Sequence, residues 1–281
     1  MGSRTTVVRV IVGIVVTILL LGVARVTSTR RSRELAVESE GIRIVHDTVT
    51  EQVGPGEPVI SALIVTDRII EPRLIYKIGD DEGEAERINM LHMGENRWEA
   101  RLPSLTKGTK IYYGFVVLLD DGTTVMLPGE RDDFPVLKYK GKASPIVLGL
   151  HIIFMFGAFY FMIQSLWSAI ALINTGEGKR ETVSNARWVF FLTLIGGWPL
   201  GFILNYQAFG VIWEGYPFGY DITDNKTQVI FIFWLVSLLL VRGSFLANNE
   251  EKDLLGPRGF AIAVLISFVV SLFLYIVPHS L

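Results

Sequence analysis

The stretch Ile146-Val-Leu-Gly-Leu-His-Ile-Ile-Phe-Met-Phe-Gly-Ala-Phe-Tyr-Phe-Met-Ile-Gln-Ser-Leu-Trp-Ser-Ala-Ile-Ala-Leu-Ile173 contains no Asp, Glu, Lys or Arg. An apolar run of roughly 18 residues or more is long enough to cross a hydrocarbon core about 30 Å thick. Four further runs repeat the pattern, at 7–23, 188–206, 227–246 and 259–277. Between the first run and 146–173 lies a polar insert that reads as strands. The expected class is an α-helical integral membrane protein with five transmembrane helices and an all-β sandwich inserted between helices 1 and 2. Its expected parts are a transmembrane signal anchor at 1–26, a linker at 27–41, an extracytoplasmic β-sandwich at 42–140 and a four-helix membrane domain at 141–281. The 207–226 connection in that last part is an outer loop rich in aromatic and acidic residues.

Composition agrees. Half of the residues are apolar, 19% are charged and the mean hydropathy is +0.43, all leaning toward a membrane protein. A formal net charge of −2 supplies no electrostatic reason for nucleic acid as a partner. The absence of cysteine excludes disulfides, thiolate catalysis, zinc-thiolate sites, iron–sulfur clusters and covalently attached haem. The insert must therefore hold itself together by its core. The only histidines are His46, His92, His151 and His279, a small supply for metal chemistry.

The first run follows Arg4 and includes Arg9, which also describes a secretory signal peptide. The segment Leu21-Gly-Val-Ala-Arg25 offers no small-x-small cleavage site, so an uncleaved anchor is expected. Five spans place the termini on opposite sides. The N-terminus and the 174–187 and 247–258 loops share a face holding Arg4, Arg9, Lys179, Arg180, Arg187, Arg242, Lys252 and Arg258, whereas the 207–226 loop holds only Lys226. Short loops rich in Lys and Arg stay in the cytoplasm. That puts the N-terminus in the cytoplasm and the insert, the outer loop and the C-terminus in the periplasm or outside the cell. Arg25, Arg30, Arg31 and Arg33 run against this order, but they precede a whole domain, where the charge rule is weak.

Within the insert, 58–65, 72–78, 87–93 and 97–102 read as strands. The clearest is 109–119, where Ile111, Tyr113, Phe115, Val117 and Leu119 share one face, and Asp121-Gly122 turns the chain into 123–127. The stretch Trp98-Glu-Ala-Arg-Leu-Pro103, then Lys107-Gly108, Tyr112-Tyr-Gly-Phe-Val116 and Asp120-Asp-Gly122, resembles bacterial immunoglobulin-like or fibronectin type III-like modules. The resemblance covers about 42–137 and implies a β-sandwich, a scaffold that hosts many roles. Sugar binding remains open there. Asp80-Asp-Glu-Gly-Glu-Ala-Glu86 reads as a solvated hairpin tip, or alternatively as a calcium loop.

Three places in the membrane part carry site expectations. Gly196-Gly197-Trp198-Pro199-Leu200-Gly201 combines a mid-helix proline, which kinks the axis, with glycines that admit a close neighbour. It is a packing kink or one wall of a quinone, lipid or pigment cleft. The outer loop is most unusual from Trp213 to Lys226, and the rings in and just before it, Tyr206, Phe209, Trp213, Tyr216 and Tyr220, suit the headgroup boundary. Thr223, Asp224 or Asn225 is placed to cap the next helix. The alternative use of Glu214, Asp221, Asp224 and Asn225 is an oxygen-ligand cation site. Asn225-Lys-Thr227 fits the glycosylation pattern but abuts the membrane.

The third place is His151, the one histidine inside a span and on a helical face with Met155, Ala158 and Met162. With His279 it forms a candidate pair for haem b or quinone, Met155 alongside; the alternative is a hydrogen bond to a neighbouring helix and a frayed terminus. No nucleotide-binding or hydrolase constellation stands out. The expected role is a non-catalytic subunit of a larger prokaryotic envelope complex, with a respiratory or photosynthetic electron-transfer assembly the first to consider. Its partners would be lipids, other membrane subunits and an extracytoplasmic protein held by the sandwich. Two alternatives stand beside it: a redox-active subunit built on His151 and His279, and a cation- or sugar-responsive transporter or sensor.

Overall fold

The computed structural model describes residues 3–28, 32–79, 85–129 and 134–277; the expected calcium loop lies mostly outside these residues, and His279 lies wholly outside them. Four of its helices are long and apolar enough to cross a membrane: Thr6–Thr27, Pro145–Thr175, Lys179–Phe209 and Pro257–Ile276. The chain divides into two units. One holds the helices, and the other holds the strands together with Gln207–Gly210.

In the helical unit, α1 (Ser3–Ser28) is followed after the strands by α2 (Pro145–Thr175) and α3 (Lys179–Ile195). A π-helical turn, Gly196–Leu200, carries α3 into α4 (Gly201–Phe209). Then come α5 (Ile222–Leu239), the short α6 (Arg242–Leu246), a 3-10 turn at Glu250–Lys252 and α7 (Pro257–Ile276). Pro145 and Pro257 each open a helix, where a missing N–H costs nothing. Gly176 ends α2 at φ 75°, its N–H bonding the Leu172 carbonyl at 2.9 Å, a left-handed cap that glycine adopts without strain.

Two spans differ from the expected bounds. The 188–206 span starts earlier, at Lys179, because Thr182, Val183 and Ala186 bury a face even in its polar first turns. The 227–246 span is displaced toward the N-terminus, as Ile222–Leu239, and it is not among the four long apolar helices. It begins where the Asp221 side chain caps the Thr223 and Asp224 N–H groups at 2.8 and 3.0 Å, so Asp221 takes the role expected of Thr223, Asp224 or Asn225. It stops at Leu239 because the Leu240 carbonyl accepts from the Leu254 and Leu255 N–H groups, both at 3.0 Å, and Val241 leaves helical geometry.

The helical core joins Phe159, Met162 and Leu172 of α2 to Val189 of α3, Trp234 and Leu238 of α5 and Phe260 and Val264 of α7. Polar atoms knit the seams. The Trp234 Nε1–H donates to Ser271 Oγ at 2.9 Å, and Ser237 and Ser267 share a hydrogen bond of 2.9 Å, so small residues line a close α5–α7 contact. Such bonds hold helices together where lipid offers no hydrophobic contrast.

The strand unit begins earlier than expected. Residues 34–39 of the presumed linker form β1 (Glu34–Ser39), which pairs with β2 (Ile42–Asp47) through a turn with positive φ at both Glu40 and Gly41. β3 (Glu51–Val53), β4 (Val59–Val65), β5 (Ile70–Ile78), β6 (Glu86–Asn89), β7 (Leu91–Gly94), β8 (Arg97–Arg101), β9 (Lys110–Leu119), β10 (Thr124–Leu127) and β11 (Val136–Lys140) follow. One sheet runs β1-β2-β4-β8-β7. The other runs β3-β11-β9-β5-β6, with β10 also on β9. Among the described residues, only the β3–β11 pair is parallel.

The expected 87–93 strand is broken at Met90, where the chain leaves one sheet for the other. Ile111, Tyr113, Phe115, Val117 and Leu119 are all buried, as their alternation requires. They meet Ile42, Ile44, Ile60, Ala62, Ile64 and Leu102 from the other sheet in one core, so the sheets form a sandwich.

Candidate functional site

At the π-helical turn, Pro199 has no N–H to give a helical carbonyl, and the helix widens: the Gly201 N–H reaches back five residues to the Gly196 carbonyl. His151 Nδ1 lies 2.9 Å from the same oxygen. A carbonyl only accepts, so Nδ1 carries the proton and Nε2 keeps its lone pair. No described residue hydrogen-bonds that Nε2. Glycine is required here for close approach. A Cβ on Gly196 would lie 2.9 Å from Met155 Sδ and 3.0 Å from Phe154 Cβ, and one on Gly197 would lie 2.4 Å from Thr227 Cγ2. Met155 itself is fixed at its backbone, where the Tyr275 hydroxyl donates to its carbonyl at 2.8 Å. Gly196 and Gly197 thus place α2, α3 and α5 in close contact beside the Pro199 bend, with His151 bonded across it; a Cβ on Gly201 would meet only the Gly196 carbonyl of its own turn, at 3.6 Å.

The outer loop is built around Asp224, which is only 7% exposed. Its carboxylate accepts from Asn205 Nδ2 on α4 at 3.1 and 3.2 Å and from the Glu214 N–H at 2.7 Å. The Asn225 Oδ1 accepts from the Tyr216 N–H at 2.7 Å, and Asp221 is occupied as the helix cap. Three of the four residues weighed as cation ligands therefore direct oxygens at N–H donors within the loop. Among the described residues, no group of three or more His, Asp or Glu side chains is arranged to hold a metal ion. Lys226 is buried, with Nζ donating to the Val277 carbonyl at 2.7 Å. Asn205 escaped sequence reasoning; nothing in its local pattern marks it as the partner of a carboxylate nineteen positions on.

A second polar cluster lies at the other end of the helices. The ammonium of buried Lys179 sits 2.7 Å from Asp253 Oδ2 and 3.1 Å from Glu250 Oε2. Asp253 also accepts from the Ser244 N–H at 2.7 Å and from its hydroxyl. Burial alone would raise the Asp253 carboxyl pKa, but these hydrogen bonds outweigh it and hold the value below the ordinary one. A Cβ on Gly243 would lie 2.1 Å from the Asn249 carbonyl oxygen, so only glycine fits this turn. The cluster fastens the α6 turn to the start of α3.

In the sandwich, His46 is buried between Ser61 and Tyr113, with Nδ1 2.7 Å from the Ser61 carbonyl and Nε2 3.0 Å from the Tyr113 hydroxyl. That hydroxyl also accepts from the Val49 N–H at 2.7 Å. Burial lowers the His46 pKa, against the opposing pull of the Ser61 carbonyl and Asp47, and pushes the Tyr113 phenol up to about 12. The alternation Ile42, Ile44, His46 was the signal that could have placed this histidine in the core. A separate pocket of about 200 Å³ on the other sheet is lined by Ile75, Tyr76, Lys77, Ala85, Tyr112 and Phe134.

No protein-family model matches the chain, and a search of curated proteins finds no match.

Proposed function

We propose that this chain is a non-catalytic membrane subunit that anchors a docking sandwich on the extracytoplasmic side of a prokaryotic envelope membrane. One observation carries the proposal: the outer face of the β1-β2-β4-β8-β7 sheet. There Val59, Leu63, Val65 and Leu91 are exposed, and their cross-strand neighbours are Arg101, Arg97, Arg43 and Glu99. Exposed aliphatic side chains ringed by arginines have the composition of an interface core and its rim. In the helical unit, by contrast, polar side chains are taken up largely in bonds between helices, which suits a scaffold. The Lys- and Arg-rich 174–187 and 247–258 loops support a cytoplasmic location for that end.

The test is purification in mild detergent with mass spectrometry of co-eluting chains. A specific partner should co-elute with the native chain and be lost from a Leu63→Asp/Leu91→Asp variant of unchanged melting temperature. A chain that always elutes alone contradicts the proposal.

A second reading, a redox-active subunit, is favoured by His151 alone. A histidine whose Nδ1–H is held by a backbone carbonyl presents Nε2 as a ligand for haem or metal, or as an acceptor for a quinol hydroxyl. It predicts a visible absorption band that His151→Ala abolishes. A colourless preparation from native membranes removes the haem form of this reading.

A further inference from the structure

We propose that residues 211–221 form a preshaped foot seated in the headgroup zone of the bilayer, with Tyr216, Phe218 and Tyr220 as its lipid contacts. The inference rests on the membrane reading of the long helices and concerns a different surface from the docking sheet.

The loop is rigid by construction. Asp221 N–H bonds the Glu214 carbonyl at 2.9 Å, and the Phe218 and Gly219 N–H groups both return to the Gly215 carbonyl, at 2.9 and 3.0 Å. Inside it, Trp213 stacks on Trp198 of the π-helical turn with centroids 6.0 Å apart. A Cβ on Gly215 would lie 2.8 Å from the Trp213 ring, so the chain folds closely over that indole. The remaining rings have no such cover: Tyr216 is 64% exposed, Phe218 84% and Tyr220 87%. A flexible loop could hide such rings by collapsing, but a turn held at both ends cannot.

Its level is fixed as well. Asp224, in the first turn of α5, binds both Asn205, one turn inside the end of α4, and the Glu214 N–H. The foot is therefore pinned to the ends of two helices. Its surface continues the exposed apolar side chains of those helices, from Ile203 and Tyr206 through Ile212 to Ile222. A phenol or indole has an apolar body and a polar tip, which is why such rings collect where hydrocarbon meets water. Continuity with the lipid-facing side chains points to the bilayer interface as the occupant, in preference to a protein.

The lack of cysteine makes the test direct. Single-cysteine variants Phe218→Cys and Tyr220→Cys are spin-labelled in the full chain and reconstituted into phosphatidylethanolamine–phosphatidylglycerol vesicles. Val269→Cys on the exposed face of α7 serves as the hydrocarbon reference and Glu57→Cys in the sandwich as the water reference. Collision rates with oxygen, which enters hydrocarbon, and with a water-soluble nickel chelate give the depth of each label. The oxygen-to-nickel ratio at 218 and 220 should lie several-fold above that at 57 and below that at 269. Adding Asp224→Ala should make both labels mobile and move their ratio toward the water value. A ratio equal to either reference, or shielding from both reagents as a protein contact would give, overturns the inference. Should label 269 itself read as water, the membrane reading has failed, a result distinct from failure of the foot alone.

Discussion

Each unit holds a histidine whose Nδ1 faces a backbone carbonyl, at 2.7 Å for His46 and 2.9 Å for His151. They differ at the other nitrogen. His46 Nε2 meets the Tyr113 hydroxyl inside a core of aliphatic and aromatic side chains, whereas no described residue binds His151 Nε2, at a bend where three helices converge. The contrast extends to the units. The sandwich excludes water with apolar side chains, and its buried rings close their polar atoms locally, His46 with Tyr113 and Tyr139 with the Pro103 carbonyl. The helical unit uses its polar atoms between helices: Trp234 with Ser271, Ser237 with Ser267, Asn205 with Asp224. Water drives the first kind of packing. In hydrocarbon that drive is missing, so hydrogen bonds and close contacts replace it.

The comparison can be broken most sharply at Phe115. Phe115→Ala should destabilise the sandwich by about 4 kcal/mol through lost burial and a residual cavity, read as a lower urea midpoint for sheet unfolding, with helix content retained. Next in size is Asp224→Ala, which leaves the Asn205 amide and the Glu214 N–H without their acceptor. A loss of about 3 kcal/mol from the helical unit is expected, seen as a lower melting temperature in detergent while sheet unfolding is unmoved. Equal effects of both variants on both units would erase the distinction.

A smaller effect separates the histidines by pH. Because burial lowers the folded-state pKa of His46, neutral His46 contributes its full stability above the unfolded value of about 6.5. That contribution is lost as pH falls from there through the folded value. Sheet unfolding should therefore occur at progressively lower urea between pH 7 and pH 5, and His46→Gln should flatten the slope. An unchanged slope in the variant would assign the pH effect to other groups. Smallest of all, Ser267→Ala should cost the α5–α7 contact only about 0.6 kcal/mol, detectable as a slight fall in melting temperature.

Much of this architecture can be read in the sequence. Long apolar runs with few charges mark the membrane-competent helices, and strict alternation marks β9, whose five inward residues are all buried. Other features are hidden for identifiable reasons. β1 is masked because Glu34, Ala36 and Glu38 take its outward side, while its inward side offers only Leu35 and Val37 before the exposed Ser39. The end of α5 is hidden because Leu240 and Val241 are as apolar as the helix before them, and the carbonyl bonds that stop it come from Leu254 and Leu255. In the outer loop, carboxylate content points to cation ligands, but the donors that occupy them are backbone N–H groups, which no residue letter records, and the Asn205 amide from α4, far off in sequence. The glycines of the π-helical turn are legible as points of close approach. For His151 the hydrogen bond to a neighbouring helix is one of the two readings its position allows, though that position does not mark the Gly196 carbonyl as the acceptor.

The proposed function requires the sandwich to lie across the membrane from the 174–187 and 247–258 loops with their lysines and arginines. With no native cysteine, single thiols at Glu57 and Glu177 can be offered a membrane-impermeant maleimide on intact spheroplasts. Labelling at position 57 without lysis, and at 177 only after lysis, is the predicted result. The reverse pattern would place the docking sheet in the cytoplasm and contradict the account.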